Sequence, residues 1–187
     1  MRIISGKYKG KKLSQPLDKL TRPLKDMTKE SIFNLLEHSK FIKVKVENSR
    51  ILDLFSGSGS FGLECLSRGA SNVTFCENYP PALKILEKNI KYFNCKNKIN
   101  IIKDNIFNLT KVKNYFKTKF NLIFLDPPFK EEKINELILN IKNIEILEDD
   151  GIVILHRNKK DKNNISSDFN VALEKIYGIS KILFIKL

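Results

Sequence analysis

Residues 50–62 read Arg50-Ile-Leu-Asp-Leu-Phe-Ser-Gly-Ser-Gly-Ser-Phe-Gly62, and no other stretch limits the fold as much. Ile51, Leu52, Leu54 and Phe55 make a short apolar run broken only by Asp53, the pattern of a strand buried on both faces of a parallel sheet. Glycine follows at positions 57, 59 and 62, and then Phe61, Leu63 and Leu66 resume at helical spacing. The pattern predicts strand, glycine turn, helix. Lacking a Cβ, Gly57, Gly59 and Gly62 can adopt positive φ and let a ligand reach the backbone, while the helix start aims free N–H groups at it. Gly57-x-Gly59-x-x-Gly62 formally matches the dinucleotide fingerprint, with Glu77 closing the next strand. Asp53 argues for a different ligand. A carboxylate in an apolar strand is costly unless it is paired or set at the strand mouth to meet a cation, and an ammonium or sulfonium group answers that need where nicotinamide does not.

At 187 residues, 42% of them hydrophobic, the chain suits one domain spanning 1–187 with a full core. No apolar run approaches a membrane span, and Met-Arg-Ile-Ile-Ser-Gly-Lys lacks the apolar region and cleavage site of a signal peptide. Cys65, Cys76 and Cys95 form no Cys-x-x-Cys pair and fit buried free thiols in a reducing cytoplasm. His38 and His156 have no metal-ligand spacing, so no metal is expected.

The net charge is +13, which points to a polyanionic partner. Its placement is uneven: residues 1–50 hold 13 Lys and Arg against 5 Asp and Glu, whereas residues 51–187 hold 21 against 16. Compositional drift towards lysine alone would not concentrate the excess in this way. Residues Arg2 to Leu13 predict a small β-hairpin with turns at Ser5-Gly6 and Gly10, its lysines flanking Tyr8. Basic groups neutralise phosphates and an aromatic ring stacks on a base, so residues 1–22 read as a nucleic-acid-touching extension and linker ahead of a core over 23–187. An edge hairpin kept soluble by lysine is the plainer alternative.

Further on, Asp26 is placed to cap a helix running to Lys40, and a second helix covers 60–68 before Gly69. Strands follow at Asn72–Glu77, Ile99–Lys103, Phe120–Leu125, Gly151–Leu155, 171–177 and 181–186. Helices come between the earlier ones: one opened by Pro80-Pro81, one from the third strand to about Lys117, and one over 131–146. The alternation predicts an α/β, doubly wound, mostly parallel sheet of seven strands with an antiparallel pair at one edge. Ligands of such sheets bind at the carboxyl ends of strands where strand order reverses, and Asp53, Glu77, Asp104 and Asp126 all sit at such ends.

Asp126-Pro-Pro-Phe129 carries the second chemical signal. The prolines cannot donate to a sheet and hold the residue before them extended, giving a stiff corner that presents the Asp126 carboxylate and the Pro127 carbonyl as acceptors. Two converging acceptors suit an –NH2 group. An exocyclic nucleobase amine is a poor nucleophile because its lone pair is delocalised into the ring, and gripping its hydrogens favours a tetrahedral, attacking nitrogen while Phe129 stacks on the base. Pro-Pro as a plain stop signal and Phe129 as core are the bland reading, outweighed by the ordered acids upstream.

With these residues in place the chain resembles the class I S-adenosylmethionine-dependent methyltransferases that modify exocyclic amines. Within them it resembles the bacterial family that methylates guanine N2 in 16S ribosomal RNA. The resemblance rests on Arg2 to Leu13, Arg22-Pro23 with Asp26 and Glu30 to Leu36, Leu52-Asp-Leu-Phe-Ser-Gly-Ser-Gly59, Leu125-Asp-Pro-Pro-Phe129 and Tyr177 to Leu183. It implies a Rossmann-like fold in which Asp53, Phe55, Ser56, Gly57 and Gly59 hold the methionine part of S-adenosylmethionine. By the same resemblance Glu77 accepts from the ribose hydroxyls, and Asp104, Asn105 and Ile106 border the adenine. It also implies that Asp126, Pro127 and Phe129 hold a flipped guanine for in-line transfer, leaving S-adenosylhomocysteine. Arg2, Lys7, Tyr8, Lys9, Lys11 and Arg22 are the RNA-binding candidates. The expected partner is 16S rRNA in an assembled or assembling 30S subunit, met by a cytoplasmic monomer. Leu24, Lys25 and Lys29 depart from the family pattern, Lys29 replacing a common arginine, and His156-Arg157 stands where many relatives carry an acid; a solvated strand end is the expectation there.

Three rivals are an adenine-N6 methyltransferase, which uses similar corners, a nicotinamide oxidoreductase and a non-catalytic RNA-binding module. The second leaves Asp53 and the 126–129 corner unexplained. A cytosine-C5 mechanism needs a nucleophilic cysteine at a strand mouth beside proline, and Cys76 should instead point into the sheet layer.

Overall fold

The computed structural model describes residues 1–16, 24–108, 116–161 and 165–187. Its strands are β1 (Arg50–Leu54), β2 (Asn72–Cys76), β3 (Ile99–Ile102), β4 (Phe120–Leu125), β5 (Leu147–Asn158), β6 (Asn170–Tyr177) and β7 (Ser180–Lys186). Its helices are α1 (Asp26–His38), α2 (Ser60–Ser67), α3 (Pro80–Phe93) and α4 (Ile134–Asn143). Arg22, Pro23 and most of the helix expected before Lys117 lie outside the described residues.

The seven strands form one sheet in the order β3-β2-β1-β4-β5-β7-β6. β1 pairs in parallel with both β2 and β4, and β7 runs antiparallel to both of its neighbours, β5 and β6. The chain therefore steps from β1 outward through β2 to β3, then returns to the other side of β1 with β4. Strand order reverses at the β1–β4 seam, the place where sheets of this kind bind their ligands, outside the strands' carboxyl ends.

Side-chain alternation sends neighbouring residues to opposite layers. Ile51, Val73, Phe75, Leu122, Phe124 and Ile154 pack under α1, α2 and α3, while Leu52, Leu54, Ile123, Leu125, Val153 and Leu155 pack against α4. On α4 the stripe of Ile134, Leu137, Ile138 and Ile141 is buried at helical spacing. All eight residues of α2 are buried, because the sheet covers one side and the amino-terminal arm the other. Phe33 of α1, Phe61 of α2 and Phe124 of β4 stack in series, with ring centroids 5.2 and 3.8 Å apart.

Several boundaries differ from the sequence reading, among them α4, which spans Ile134–Asn143 of the expected 131–146. α1 ends at His38, and its amino-terminal cap position is Lys25, without a side-chain capping bond, rather than Asp26. Asp26 instead begins the helix and lies 3.9 Å from the Lys29 ammonium one turn on. β5 starts at Leu147 and runs on to Asn158, past the expected end at Leu155, because β7 pairs with its last residues up to Asn158↔Ser180.

Candidate active site

The seam between β1 and β4 brings the two sequence motifs together. Leu54 pairs with Leu125, and the Asp126 N–H reaches the Leu54 carbonyl at 3.5 Å, so the glycine turn and the proline corner leave adjacent strands side by side. Asp53 is 1% exposed and points to the α2 side, where its Oδ2 accepts the Gly62 N–H at 3.0 Å. Burial pushes its carboxyl well above the usual range; the Gly62 bond pulls it back, and the charges of Asp126 and Glu77 push it further up. These carboxylates form one electrostatic cluster that favours a cation.

The glycines divide their work. Gly57 takes φ +54° with open space where a Cβ would stand, so a ligand can lie against its backbone. Gly62 does not adopt positive φ, which corrects the expectation for the third glycine: a Cβ there would sit 2.4 Å from the Phe75 ring, so its role is close packing of α2 on β2. Phe55 itself is left-handed at φ 59°, a costly conformation for a bulky residue. Ser56 ties the turn to β2 through two bonds to the Cys76 carbonyl, from its N–H at 3.1 Å and its hydroxyl at 3.2 Å.

Glu77 closes the turn from the other side. Its Oε2 accepts the Gly57 N–H at 2.7 Å, and its Oε1 accepts the N–H groups of Asn78 and Tyr79, both at 2.9 Å. At the next strand mouth Asp104 Oδ1 accepts from Asn105 N–H at 2.6 Å, and Asn105 Oδ1 accepts from Phe107 N–H at 3.0 Å. These bonds shape a short turn that buries Ile106 and brings the Phe107 ring within 5.9 Å of Phe55.

At the proline corner Pro127 is buried and Pro128 exposed. The expectation of a solvated strand end at 156–157 is wrong: His156 is 4% and Arg157 3% exposed, because β7 covers the extended end of β5. The Arg157 guanidinium donates to the backbone carbonyls of Pro128 at 3.1 Å, Phe129 at 3.0 Å and Glu131 at 3.0 Å, and it pairs with Asp161. Arg157 thus clamps the corner by its backbone. His156 Nδ1 lies 2.7 Å from Asp126 Oδ1, and its ring meets Phe129 edge-on at 5.9 Å. No local sequence signal marked either residue, because the strand that covers them is β7.

The amino-terminal arm is a minimal hairpin, with Arg2 bridged to Lys12 across the Gly6–Tyr8 turn. It docks on α2 through buried charge. The Glu64 carboxylate accepts the N–H groups of Ile4 at 2.7 Å and Ser5 at 3.0 Å, and Lys29 Nζ donates to the Arg2 carbonyl at 2.7 Å and Ser60 Oγ at 3.2 Å. Lys29 and Glu64 have fully buried side chains 3.5 Å apart, so the departure at 29 still supplies the cation that this junction uses. Gly6 lies so close to α2 that a Cβ would stand 1.9 Å from the Ser67 carbonyl oxygen. Arg2, Lys7 and Lys9 are exposed, whereas Tyr8 is half-buried with its ring edge-on to Phe93 at 5.1 Å and the Lys11 ammonium 5.1 Å from its centroid. Arg22 is outside the described residues.

Among the described residues no helix is long and apolar enough to cross a membrane. The chain is 33% identical over 175 residues to Ribosomal RNA small subunit methyltransferase D of Buchnera aphidicola subsp. Acyrthosiphon pisum, covering 93% of this chain and 86% of that one. It is 30% identical over 181 residues to the protein of the same name from Haemophilus influenzae, covering 96% and 90%. The crystal structure of Haemophilus influenzae HI0767 superposes with a TM-score of 0.74 at 29% identity, over 100% of this chain and 98% of that one. Residues 1–186 match a family described as Conserved hypothetical protein 95, and with the glycine turn and the proline corner meeting at one seam of a seven-stranded sheet, the chain belongs to that family.

Proposed function

We propose that the chain transfers a methyl group from S-adenosylmethionine to the exocyclic N2 amine of a guanine in 16S ribosomal RNA, presented by an assembled or assembling small subunit. The observation that carries the reading is the junction of Asp53 and Asp126 across the β1–β4 seam. Relatives named as small-subunit rRNA methyltransferases, matched over nearly the whole chain, support the substrate class.

The residues fit the donor. An enclosed Asp53 carboxylate crowded by Asp126 and Glu77 is relieved by an arriving cation, and the open face of Gly57 admits the ligand to the backbone. Glu77 uses its oxygens on three N–H groups and, with about four lone-pair sites on a carboxylate, keeps capacity for a ribose hydroxyl. Asp104, Asn105 and Ile106, with Phe55 and Phe107 beside them, give a wall for the adenine. When bound, S-adenosylmethionine supplies an electrophilic methyl: the N–C bond forms as the C–S bond breaks, leaving S-adenosylhomocysteine.

On the acceptor side Asp126 and the Pro127 carbonyl take the two amine hydrogens, and Phe129 stacks on the flipped base. One proton leaves the nitrogen as it is methylated, and a carboxylate already bonded to that hydrogen is the nearest acceptor. Arg2, Lys7, Tyr8, Lys9 and Lys11 on the arm contact RNA, the charged members by neutralising phosphate.

Small subunits from cells lacking this protein, incubated with purified protein and labelled S-adenosylmethionine, test the reading. Mass mapping is expected to place the label on N2 of guanine, and Asp126→Ala should abolish incorporation while S-adenosylmethionine still raises its melting temperature. Label on adenine N6 would move the protein to the adenine class. An Asp126→Ala variant methylating at the wild-type rate would overturn the assignment of the site.

A further inference from the structure

We infer that His156 is a positioning residue for the methyl acceptor: it fixes the Asp126 carboxylate through Nδ1 and is itself fixed by Ser180 and Thr28. The inference rests on the reading of Asp126 as the acceptor of the amine hydrogens.

Polar side chains from four separate elements form one line. Asp126 Oδ1 lies 2.7 Å from His156 Nδ1, His156 Nε2 lies 2.8 Å from Ser180 Oγ, and Ser180 Oγ lies 3.4 Å from Thr28 Oγ1. The sheet dictates this alignment. Asp126 follows β4 at the parity of Phe124, His156 shares the face of Ile154 on β5, and Ser180 shares the face of Ile182 on β7, so all three project towards α1. Thr28, His156 and Ser180 are 4%, 4% and 3% exposed, whereas the Asp126 side chain is 19% exposed. The line begins in the sealed core and ends on the one member that solvent and substrate can reach.

The direction of the protons follows from the terminal group. An ionised carboxylate only accepts, so Nδ1 carries the imidazole proton and donates it to Asp126. With the imidazole neutral, Nε2 accepts from the Ser180 hydroxyl, and because that proton is so used the Ser180 oxygen accepts from Thr28. Every donor points towards the carboxylate, and hydrogen bonds in such a series strengthen one another.

A proline corner fixes the backbone of Asp126 but leaves the terminal carboxylate torsion soft. Arg157 stiffens the same corner only through the carbonyls of residues 128, 129 and 131. His156 supplies the missing restraint, engaging one oxygen so that the other faces the amine. The same ring packs edge-on at 5.9 Å against Phe129, which ties the acceptor carboxylate to the residue that stacks the base.

Steady-state methyl transfer to small subunits from cells lacking the protein tests this. His156→Leu, which removes both ring nitrogens, should slow transfer about ten- to a hundredfold, the usual cost of losing a hydrogen-bonding partner behind a working group. The loss should fall on kcat, with S-adenosylmethionine affinity and the KM for subunits unchanged, because no substrate contact is removed. His156→Asn, whose amide nitrogen falls near the place of Nδ1, should recover most of the rate, and His156→Gln, whose amide falls near Nε2, should not. Wild-type kcat in His156→Leu, or a loss confined to KM, would overturn the inference. Should His156→Leu fail to fold, the Asn and Gln pair decides alone: a faster Asn variant supports the role and equal rates overturn it. A fully active Asp126→Ala would instead remove the reading beneath it.

Discussion

Asn89 Nδ2 donates to the Ser58 carbonyl inside the glycine turn at 2.9 Å, and the same buried amide clasps Ser14 of the amino-terminal arm. Its Oδ1 accepts the Ser14 N–H at 2.9 Å while Nδ2 also donates to the Ser14 carbonyl at 3.1 Å. Lys29 makes a second such bridge, from the Arg2 carbonyl to Ser60 at the start of α2. The arm is thereby fastened to the glycine turn and to the start of α2.

Removing the first bridge takes these partners from the half-buried backbone of residue 14 and the buried carbonyl of residue 58. We expect Asn89→Ala to cost about 1–3 kcal/mol in urea unfolding and to weaken S-adenosylmethionine binding, although Asn89 is not itself a ligand of it. Faster proteolytic clipping of the arm in the variant, at protein concentrations where the core stays folded, should accompany both changes. Unchanged stability and affinity would show that the amide is dispensable.

Asp53 should carry a stability cost that its ligand offsets. Burial raises its folded-state carboxyl well above the unfolded value of about 3.9, so the favourable contribution is complete below that pH and is lost as pH rises through the folded pKa. Asp53→Asn keeps an oxygen for the Gly62 N–H and removes the buried charge. The ligand-free variant should therefore match the wild type in acid and exceed it by roughly 0.5–2 kcal/mol near neutral pH, while binding S-adenosylmethionine more weakly. Denaturant melts at pH 3.5 and pH 8 with calorimetric titration of the ligand check both halves. A variant less stable than wild type at pH 8 would contradict the argument.

The thiols should be silent. Burial pushes the Cys76 thiol up to about 12, helped by the charges of Glu77 and Asp104, and burial likewise raises Cys65 well above the usual range and Cys95 above it. Thiolate, the reactive form, is scarce and enclosed at all three. Iodoacetamide at pH 8 should label none of them in the native protein and all three after urea. Rapid labelling of the folded chain would place a cysteine at the surface.

The alternation of strands and helices, the glycine turn, the proline corner and the strand-end acids were legible because they rest on short-range patterns: apolar runs of strand length, glycine at fixed offsets, and prolines after a strand. What escaped was set by tertiary pairing. Nothing local marks His156 and Arg157 as buried, since their cover comes from β7, more than twenty residues later, and their partners from the corner at 126–131. The same holds for Lys29 and Glu64, which look like ordinary charges on helix faces until the arm is laid over α2. Gly62 was read for its backbone freedom, but the constraint on it is the Phe75 ring of β2, against which α2 packs.

The arm's outer lysines offer a prediction in which stability and function separate. Lys7 and Lys9 are exposed, so changing them removes little packing, and under the proposed function their value would lie in the phosphates they neutralise. Each lost contact should lower the slope of log affinity against log salt by about 0.7–0.9 and weaken binding to small-subunit RNA without base preference. For Lys7→Ala with Lys9→Ala we therefore expect weaker binding at low salt, a shallower salt dependence and an unchanged melting temperature, since exposed substitutions typically stay within about 0.5 kcal/mol. Gly6→Ala, by contrast, puts a Cβ into the Ser67 carbonyl and should loosen the arm itself, lowering both stability and RNA affinity. If the lysine pair leaves the salt slope untouched while Gly6→Ala reduces affinity, RNA meets the arm through its backbone or its aromatic side, and the charge excess of the first fifty residues serves another purpose.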